Sequence, residues 1–283
     1  VRVLVLGGTA TGEVAVETAV DYPGEHDIRL GWVDPDDSTE MRTVLDSVDL
    51  VVNALDPDRS GTAVLEAAID TGVHYVDACD DCGHTVRMLD LHDRARAAGV
   101  CAVVGMGASP GVTNLLAACA AGELDRIDDI YTAWPVDVPE APGNVDLGES
   151  REAVERWMRQ LSGISVVVRS GQLRDEQPMH AVALDLPRGR RGTAYTAGGP
   201  EPITLHRTLA PAGNCASLIT IAPGTAAYLD VLRRDIDRKR LTSAGAAEQL
   251  DKPTMRRTLR ALFSASKFKA PGTLPPFFAA ASG

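Results

Sequence analysis

Residues 100–114 read Val100-Cys101-Ala102-Val103-Val104-Gly105-Met106-Gly107-Ala108-Ser109-Pro110-Gly111-Val112-Thr113-Asn114. An apolar run of strand length passes through a turn of small residues and enters a helical pattern at Leu115-Leu116-Ala117-Ala118. Such a turn leaves room for a ligand. It also aims unpaired backbone N–H groups and the positive end of a helix dipole at that ligand.

The same alternation repeats upstream. Val1–Leu6 is an apolar strand apart from Arg2, followed at once by Gly7-Gly8-Thr9-Ala10-Thr11-Gly12. Helical spacing then runs through Val14, Val16, Ala19 and Val20 until Pro23-Gly24 stops it. Ile28–Val33 reads as a second strand ending at Asp34-Pro35, and Asp49–Ala54 as a third, with a helix around Ala63–Ile69 after it. His74–Asp77 reads as a short strand and Thr85–Ala98 as a charged amphipathic helix. Apolar strands spaced by helices predict a parallel sheet covered on both sides, so residues 1–122 are expected to form a doubly wound α/β domain.

Beyond residue 122 the pattern changes. Ile127–Val136 reads as a strand, Pro135, Pro139, Pro142 and Gly143 as a loop, and Arg151–Leu161 as a helix. β-like runs follow at Ile164–Val168, Met179–Leu186, Thr193–Thr196 and Ile203–Leu205, parted by turns such as Pro187-Arg188-Gly189. Residues 123–225 are therefore expected to be a second, α+β domain with a largely antiparallel sheet. From 226 to 283 a helical segment is expected, basic at Arg233-Arg234 and Arg238-Lys239-Arg240, charges that a solvated helix face accounts for.

A formal charge of −11 argues against a nucleic-acid surface, which needs clustered Lys and Arg. The uncharged stretches 100–122 and 208–229 are broken by Gly and Pro, so neither makes a membrane span. Five scattered cysteines and a chain opening directly on a strand fit reduced thiols and a cytoplasmic location.

The first glycine turn is the cofactor candidate. A dinucleotide fingerprint wants glycines at its first, third and sixth positions; Gly7 and Gly12 supply two, while Thr9 takes the middle one. Gly8, Ala10 and Thr11 complete the turn, and Asp34 lies 22 residues beyond Gly12, where an acid binds ribose hydroxyls and repels the extra phosphate of NADP. NAD or NADP is expected, with a tilt to NAD. Asn53-Ala54-Leu55 ends the third strand on the ligand-bearing edge, and Ser109-Pro110-Gly111 lies in the turn after the fifth. Asp56 is expected to cap a helix.

Tyr75-Val76-Asp77-Ala78-Cys79-Asp80-Asp81-Cys82-Gly83-His84 is the densest polar cluster. Structural zinc needs four ligands, usually from two spaced pairs; Cys79 and Cys82 have no second Cys-x-x-Cys, so no metal is expected. Asp77 ends a central strand, where an exposed carboxylate can hold an amine or relay a proton. It is the catalytic candidate, with Tyr75 beside it, and helix capping is its alternative role. Asn114, Glu201 and Arg207 are the substrate-binding candidates, the last two from Gly198-Gly199-Pro200-Glu201-Pro202-Ile203-Thr204-Leu205-His206-Arg207.

Four segments together resemble the saccharopine dehydrogenase family, in particular its bacterial NAD(P)-binding members. They are V-L-V-L-G-G-T at 3–9, E-A-A-I-D-T-G-V-H-Y-V-D-A-C-D-D at 66–81, G-A-S-P-G-V-T-N-L-L-A at 107–117 and G-P-E-P-I-T-L-H-R-T-L at 199–209. The resemblance implies a Rossmann domain, an inserted α+β domain that closes a cleft, and a nicotinamide cofactor. It implies reduction of an imine formed between an amine and an oxo acid, or oxidation of the secondary amine. The expected substrate is amino-acid-like or polyamine-like, and a homodimer through the second domain's sheet is expected. Ala10-Thr11, Leu55-Asp56-Pro57-Asp58 and Gly198-Gly199-Pro200 depart from the family's pattern, and the ending at Leu274–Ala279 reads as shortened. A catalytically silent nucleotide-binding or scaffold protein of the same fold is the alternative.

Overall fold

The computed structural model describes residues 1–7, 27–136 and 151–283. They form two compact units, Val1–Val112 and Thr113–Gly283.

The first unit is built on five parallel strands: β1 (Arg2–Leu6), β2 (Asp27–Gly31), β3 (Leu50–Asn53), β4 (His74–Asp77) and β5 (Ala102–Val103). Their spatial order is β2-β1-β3-β4-β5, so the sheet grows one way from β1 to β2 and the other way from β1 to β3. Between them lie α1 (Ser38–Leu45), α2 (Pro57–Ser60), α3 (Ala63–Thr71), α4 (Cys82–Leu89) and α5 (His92–Ala97). The helix expected over Thr85–Ala98 is thus two helices, parted at Asp90-Leu91. Short polar residues start the helices: Asp37 caps α1 through the Thr39 and Glu40 N–H groups, and Asp81 caps α4 through that of His84. Gly72, left-handed at φ 73°, ends α3.

Register sets what each face buries. Leu4, Val51 and Tyr75 form one cross-strand row, and Leu6, Asn53 and Asp77 the next. Side chains two apart share a face, so both rows point to the same side. There Leu4, Leu6, Val51 and Tyr75 pack with Met41 and Leu45 of α1, Leu65 and Ile69 of α3, and Met88 of α4.

The second unit opens on α6 (Val112–Ala121), whose first residue sits at the division between units. Its mixed sheet has the order β12-β6-β11-β10-β9, with β7 on β11 and β8 on β7. The strands are β6 (Asp129–Pro135), β7 (Ser165–Arg169), β8 (Gln172–Glu176), β9 (Ala181–Leu186), β10 (Arg190–Thr196), β11 (Cys215–Thr220) and β12 (Phe278–Ser282). Only β6 and β11 run parallel; the other pairs are antiparallel, as the sequence predicts for most of the sheet. The unit's helices are α7 (Arg151–Gln160), α8 (Glu201–Leu209), α9 (Pro223–Asp237), α10 (Ser243–Asp251) and α11 (Met255–Ser264).

Ile203–Leu205, read as β-like, lies inside α8. Pro200 at the N-cap and Pro202 in the first turn fix φ for a helix start and give up N–H groups that a helix leaves unpaired there. The apolar end at Phe278 is a paired strand, joined antiparallel to β6. Arg233, expected on a solvated face, is buried between Asp230 and Asp237, each 2.9 Å away. Among the described residues no helix is long and apolar enough to cross a membrane.

Candidate functional site

In the first unit the carboxyl ends of the strands bring most of the expected site residues to one rim. A doubly wound sheet of this order places its crevice where the strand order reverses, between β1 and β3. Gly7 leaves β1 there and Ala54 leaves β3. The Ala54 N–H donates to the Leu6 carbonyl at 2.7 Å, which draws the two exits together. A Cβ on Gly7 would stand 3.1 Å from the Ala54 Cβ and 3.2 Å from its carbonyl oxygen. Glycine is what lets the two turns pass so closely. Gly8, Thr9, Ala10, Thr11 and Gly12 lie outside the described residues. Asp34, just past β2, is exposed and accepts the Asp36 N–H at 3.1 Å.

Asn53 is buried at the end of β3. Its side-chain Nδ2 donates to the Tyr75 hydroxyl at 3.1 Å, and its Oδ1 accepts the Leu55 N–H at 3.1 Å. Tyr75 therefore holds Asn53, and Asn53 holds the turn that leaves β3. Burial pushes the Tyr75 phenol well above its usual range, and the charge of Asp77 adds to the rise. A phenol so placed stays protonated near neutrality. Asp56, as expected, caps a helix: it accepts the Asp58 N–H at the start of α2.

Asp77, expected as an exposed carboxylate, is 2% exposed. The cause is parity: it shares the core face with Tyr75 and lies beside Asn53. Its Oδ1 accepts the N–H groups of Cys79 and Gly105, each at 2.8 Å. Its Oδ2 is buried with no hydrogen-bond partner. Burial raises its pKa, and the two backbone N–H groups and the Tyr75 phenol pull the other way.

The Gly105–Gly111 turn closes on itself. Gly105 has φ 71°, and a Cβ there would meet Pro110 at 3.0 Å and the Cys79 carbonyl at 3.2 Å. Gly111 has φ 118°, and a Cβ on it would run into the Gly107 backbone. The Val112 N–H donates to the Gly107 carbonyl at 2.9 Å, and the Met106 N–H to the Asp77 carbonyl at 2.6 Å. Pro110, after a cis Ser109–Pro110 bond, is buried in the turn while Ser109 is half-buried. Gly105 and Gly111 are thus needed for the loop's own closure, and Asp77 ties it to the end of β4. The sequence signals both facts: small residues in series, and an acid one strand-period beyond a buried tyrosine.

The Cys79 thiol is pushed up to about 12 by burial, as is that of Cys215 in β11. Among the described residues no three of His, Cys, Asp and Glu converge in a way that could hold a metal ion.

In the second unit Glu201, expected to face a substrate, is 1% exposed at the first turn of α8. Its Oε2 accepts the Ser217 hydroxyl at 2.7 Å and its Oε1 that of Thr113 at 3.4 Å. Gly199 makes room for it, since a Cβ there would sit 2.5 Å from Oε2. Asn114 donates to the Thr204 hydroxyl at 2.8 Å, tying α6 to α8. Arg207 is exposed near the other end of α8, about 9 Å along the helix from Glu201. Thr113 and Ser217 are partners that sequence reasoning missed, because neither lies near Glu201 in the chain.

Residues 3–103 match the family model for the saccharopine dehydrogenase NADP binding domain. Among solved structures, apo saccharopine dehydrogenase (L-Glu forming) from Saccharomyces cerevisiae is matched with a TM-score of 0.58 at 14% identity, over 97% of this chain and 74% of that one. GenD2 from gentamicin A biosynthesis, solved with NAD, gives a TM-score of 0.37 at 17% identity, over 77% of this chain and 65% of that one. An oxidoreductase from Bacillus cereus gives 0.38 at 10% identity, over 77% and 64%. At these last scores the likeness is slight. The yeast enzyme's fold is shared along nearly the whole chain, and the five parallel strands fall inside the matched domain. The first unit is therefore similar to the NADP binding domain of saccharopine dehydrogenases, and the chain shares the fold of the yeast enzyme.

Proposed function

We propose that this protein is an NAD(P)-dependent oxidoreductase that transfers a hydride at a C–N bond of an amino-acid-like or polyamine-like substrate. The reaction is reduction of an imine formed from an amine and an oxo acid, or oxidation of the resulting secondary amine. The observation that carries the reading is the close passage of Gly7 and Ala54 where β1 and β3 part, in a domain of NADP-binding type. A cradle that a single Cβ would crowd suits the near approach of a pyrophosphate.

In this reading Gly7 and the turn Gly8–Gly12 hold the pyrophosphate, and Asp34 takes the adenosine ribose, favouring NAD over NADP. Asn53-Ala54-Leu55 and Ser109-Pro110-Gly111 hold the nicotinamide side. The nicotinamide, when bound, supplies or accepts the hydride. Orientation by the protein contributes several kcal/mol to such a step. Tyr75 and Asp77 enter through positioning: Tyr75 fixes Asn53, and Asp77 fixes the Gly105 loop. Arg207 is the exposed cation suited to a substrate carboxylate, while Glu201 and Asn114 set the start of α8. A cytoplasmic homodimer completes the proposal.

A second reading, a nucleotide-binding protein without catalysis, is favoured by one observation. Asp77, expected to be catalytic, and Glu201, expected to bind substrate, are both buried and accept hydrogen bonds from the protein itself. Oxidation of NADH or NADPH by purified protein, followed at 340 nm against pairs of amines and oxo acids, separates the two. Turnover with at least one pair supports the oxidoreductase; cofactor binding with no turnover across the panel supports the silent form.

A further inference from the structure

Helix α11 wears its apolar side outward. Its inner face meets α9 through Ala261, which packs with Ala227 and Val231, and through Arg257 and Arg260, which pair with the buried Asp235 at 3.0 and 2.9 Å. The opposite face carries Met255, Leu259, Leu262 and Phe263, at helical spacings of four, three and one. Phe263 is 84% exposed, Met255 75% and Leu262 67%. Single exposed apolar residues need no explanation, but a stripe of four bulky ones on one short helix does.

Charge singles out what covers it. Arg238–Lys269 carries nine Lys and Arg against Glu248 and Asp251, in a chain whose formal charge is −11. Lys252, Arg256, Lys267 and Lys269 are exposed around α11. Arg256 lies seven residues before Phe263 and so shares its face. The stripe is thus rimmed by cations on an otherwise acidic protein.

We propose that this face of α11 docks on an anionic lipid bilayer surface, with Phe263, Leu262, Leu259 and Met255 entering the headgroup boundary and the surrounding Lys and Arg pairing with lipid phosphates. An amphipathic helix with bulky apolar residues and a basic rim lies in the plane of such an interface. A convex helix needs no matching groove to enter lipid. A two-fold contact between copies through α11 would instead set Arg256 and Lys267 of each copy against the same charges of the other. The attachment is peripheral and reversible, and its strength falls with salt as the basic rim is screened.

Sedimentation of the full chain with phosphatidylcholine vesicles holding about 30% phosphatidylserine tests this. The expected result is retention on these vesicles, little on pure phosphatidylcholine, and loss in high salt. L262S/F263S and R256E/K267E should each weaken retention by about tenfold or more, with unchanged far-ultraviolet circular dichroism, since all four side chains face outward. Absence of binding at low salt, or binding that both double variants leave intact, overturns the proposal. Lack of vesicle binding together with a dimer that L262S/F263S converts to monomer overturns it in favour of a second copy on this face.

Discussion

The Gly105 N–H donates to the Asp77 carboxylate across 2.8 Å, and the same oxygen accepts the Cys79 N–H at the same distance. One buried oxygen therefore fixes the exits of two neighbouring strands. Asp77→Ala should lower stability by about 2–4 kcal/mol, because two buried N–H groups lose their acceptor. Asp77→Asn, which keeps the acceptor, should cost less, and urea unfolding near neutrality compares the two. The pH dependence has a definite sign. Burial raises the folded pKa of Asp77 above 3.8, so the folded state holds this proton more tightly than the unfolded state does. Its contribution to stability falls as pH rises from 3.8 through the folded value and is flat above it. Asp77→Asn should remove that fall, so the wild-type-minus-variant difference should change with pH only within this window.

Two glycines with positive φ should respond differently to alanine. Gly99 has φ 67°, and a Cβ on it would meet nothing within 4 Å, so Gly99→Ala should cost only the left-handed strain, about 1 kcal/mol. Gly111 has φ 118° and would drive its Cβ into the Gly107 backbone. Gly111→Ala should cost about 3 kcal/mol or more and weaken dinucleotide binding together with stability. Equal costs for the two would contradict the closed geometry of the loop.

Cysteine reactivity should follow burial. Cys101 and Cys119 are exposed, whereas the thiols of buried Cys79 and Cys215 are pushed up to about 12. Alkylation at neutral pH, mapped by mass spectrometry, should label Cys101 and Cys119 well before Cys79 or Cys215. Cys79→Ser should leave turnover within about threefold of wild type, since a thiol this weakly acidic is no nucleophile. A large loss of turnover in that variant, with folding intact, would favour thiol chemistry instead.

Asp235 joins α9 to α11 through Arg257 and Arg260. Burial alone would raise its pKa, but the hydrogen bonds and charges of the two arginines outweigh it and lower the folded value below 3.8. Its contribution to stability is therefore present above 3.8 and lost as pH falls through the folded value. Asp235→Ala should destabilise by about 3 kcal/mol, because two partly buried cations lose their partner. Differential scanning calorimetry at neutral pH checks the size, and a shrinking difference in acid checks the sign.

Much of the first unit was legible because its parallel strands read as apolar runs spaced by helices, and glycine clusters mark where they turn. The burial of Asp77 was open to the same reasoning. Alternation from Tyr75 puts it on the core face, and only the habit of treating a strand-end acid as exposed hid this. The second unit was harder. β8, Gln172-Leu173-Arg174-Asp175-Glu176, is almost wholly exposed and carries no apolar alternation. β11 is buried on both sides, so its sequence shows no polar alternation to mark it as a strand. Ile203–Leu205 has strand-like composition, and its helix is decided by the prolines before it. The hydroxyl partners of Glu201 come from Thr113 and Ser217, 88 and 16 residues away, beyond the reach of local pattern.

The central claim is that the Gly7–Ala54 crossing seats a nicotinamide dinucleotide. Isothermal titration calorimetry of the full chain with NADH and with NADPH tests it most directly. Saturable binding of at least one, weakened about 100-fold or more by Gly7→Val in a variant that keeps its circular dichroism spectrum, is the predicted result. No heat with either nucleotide, or binding that Gly7→Val leaves unchanged, would contradict it.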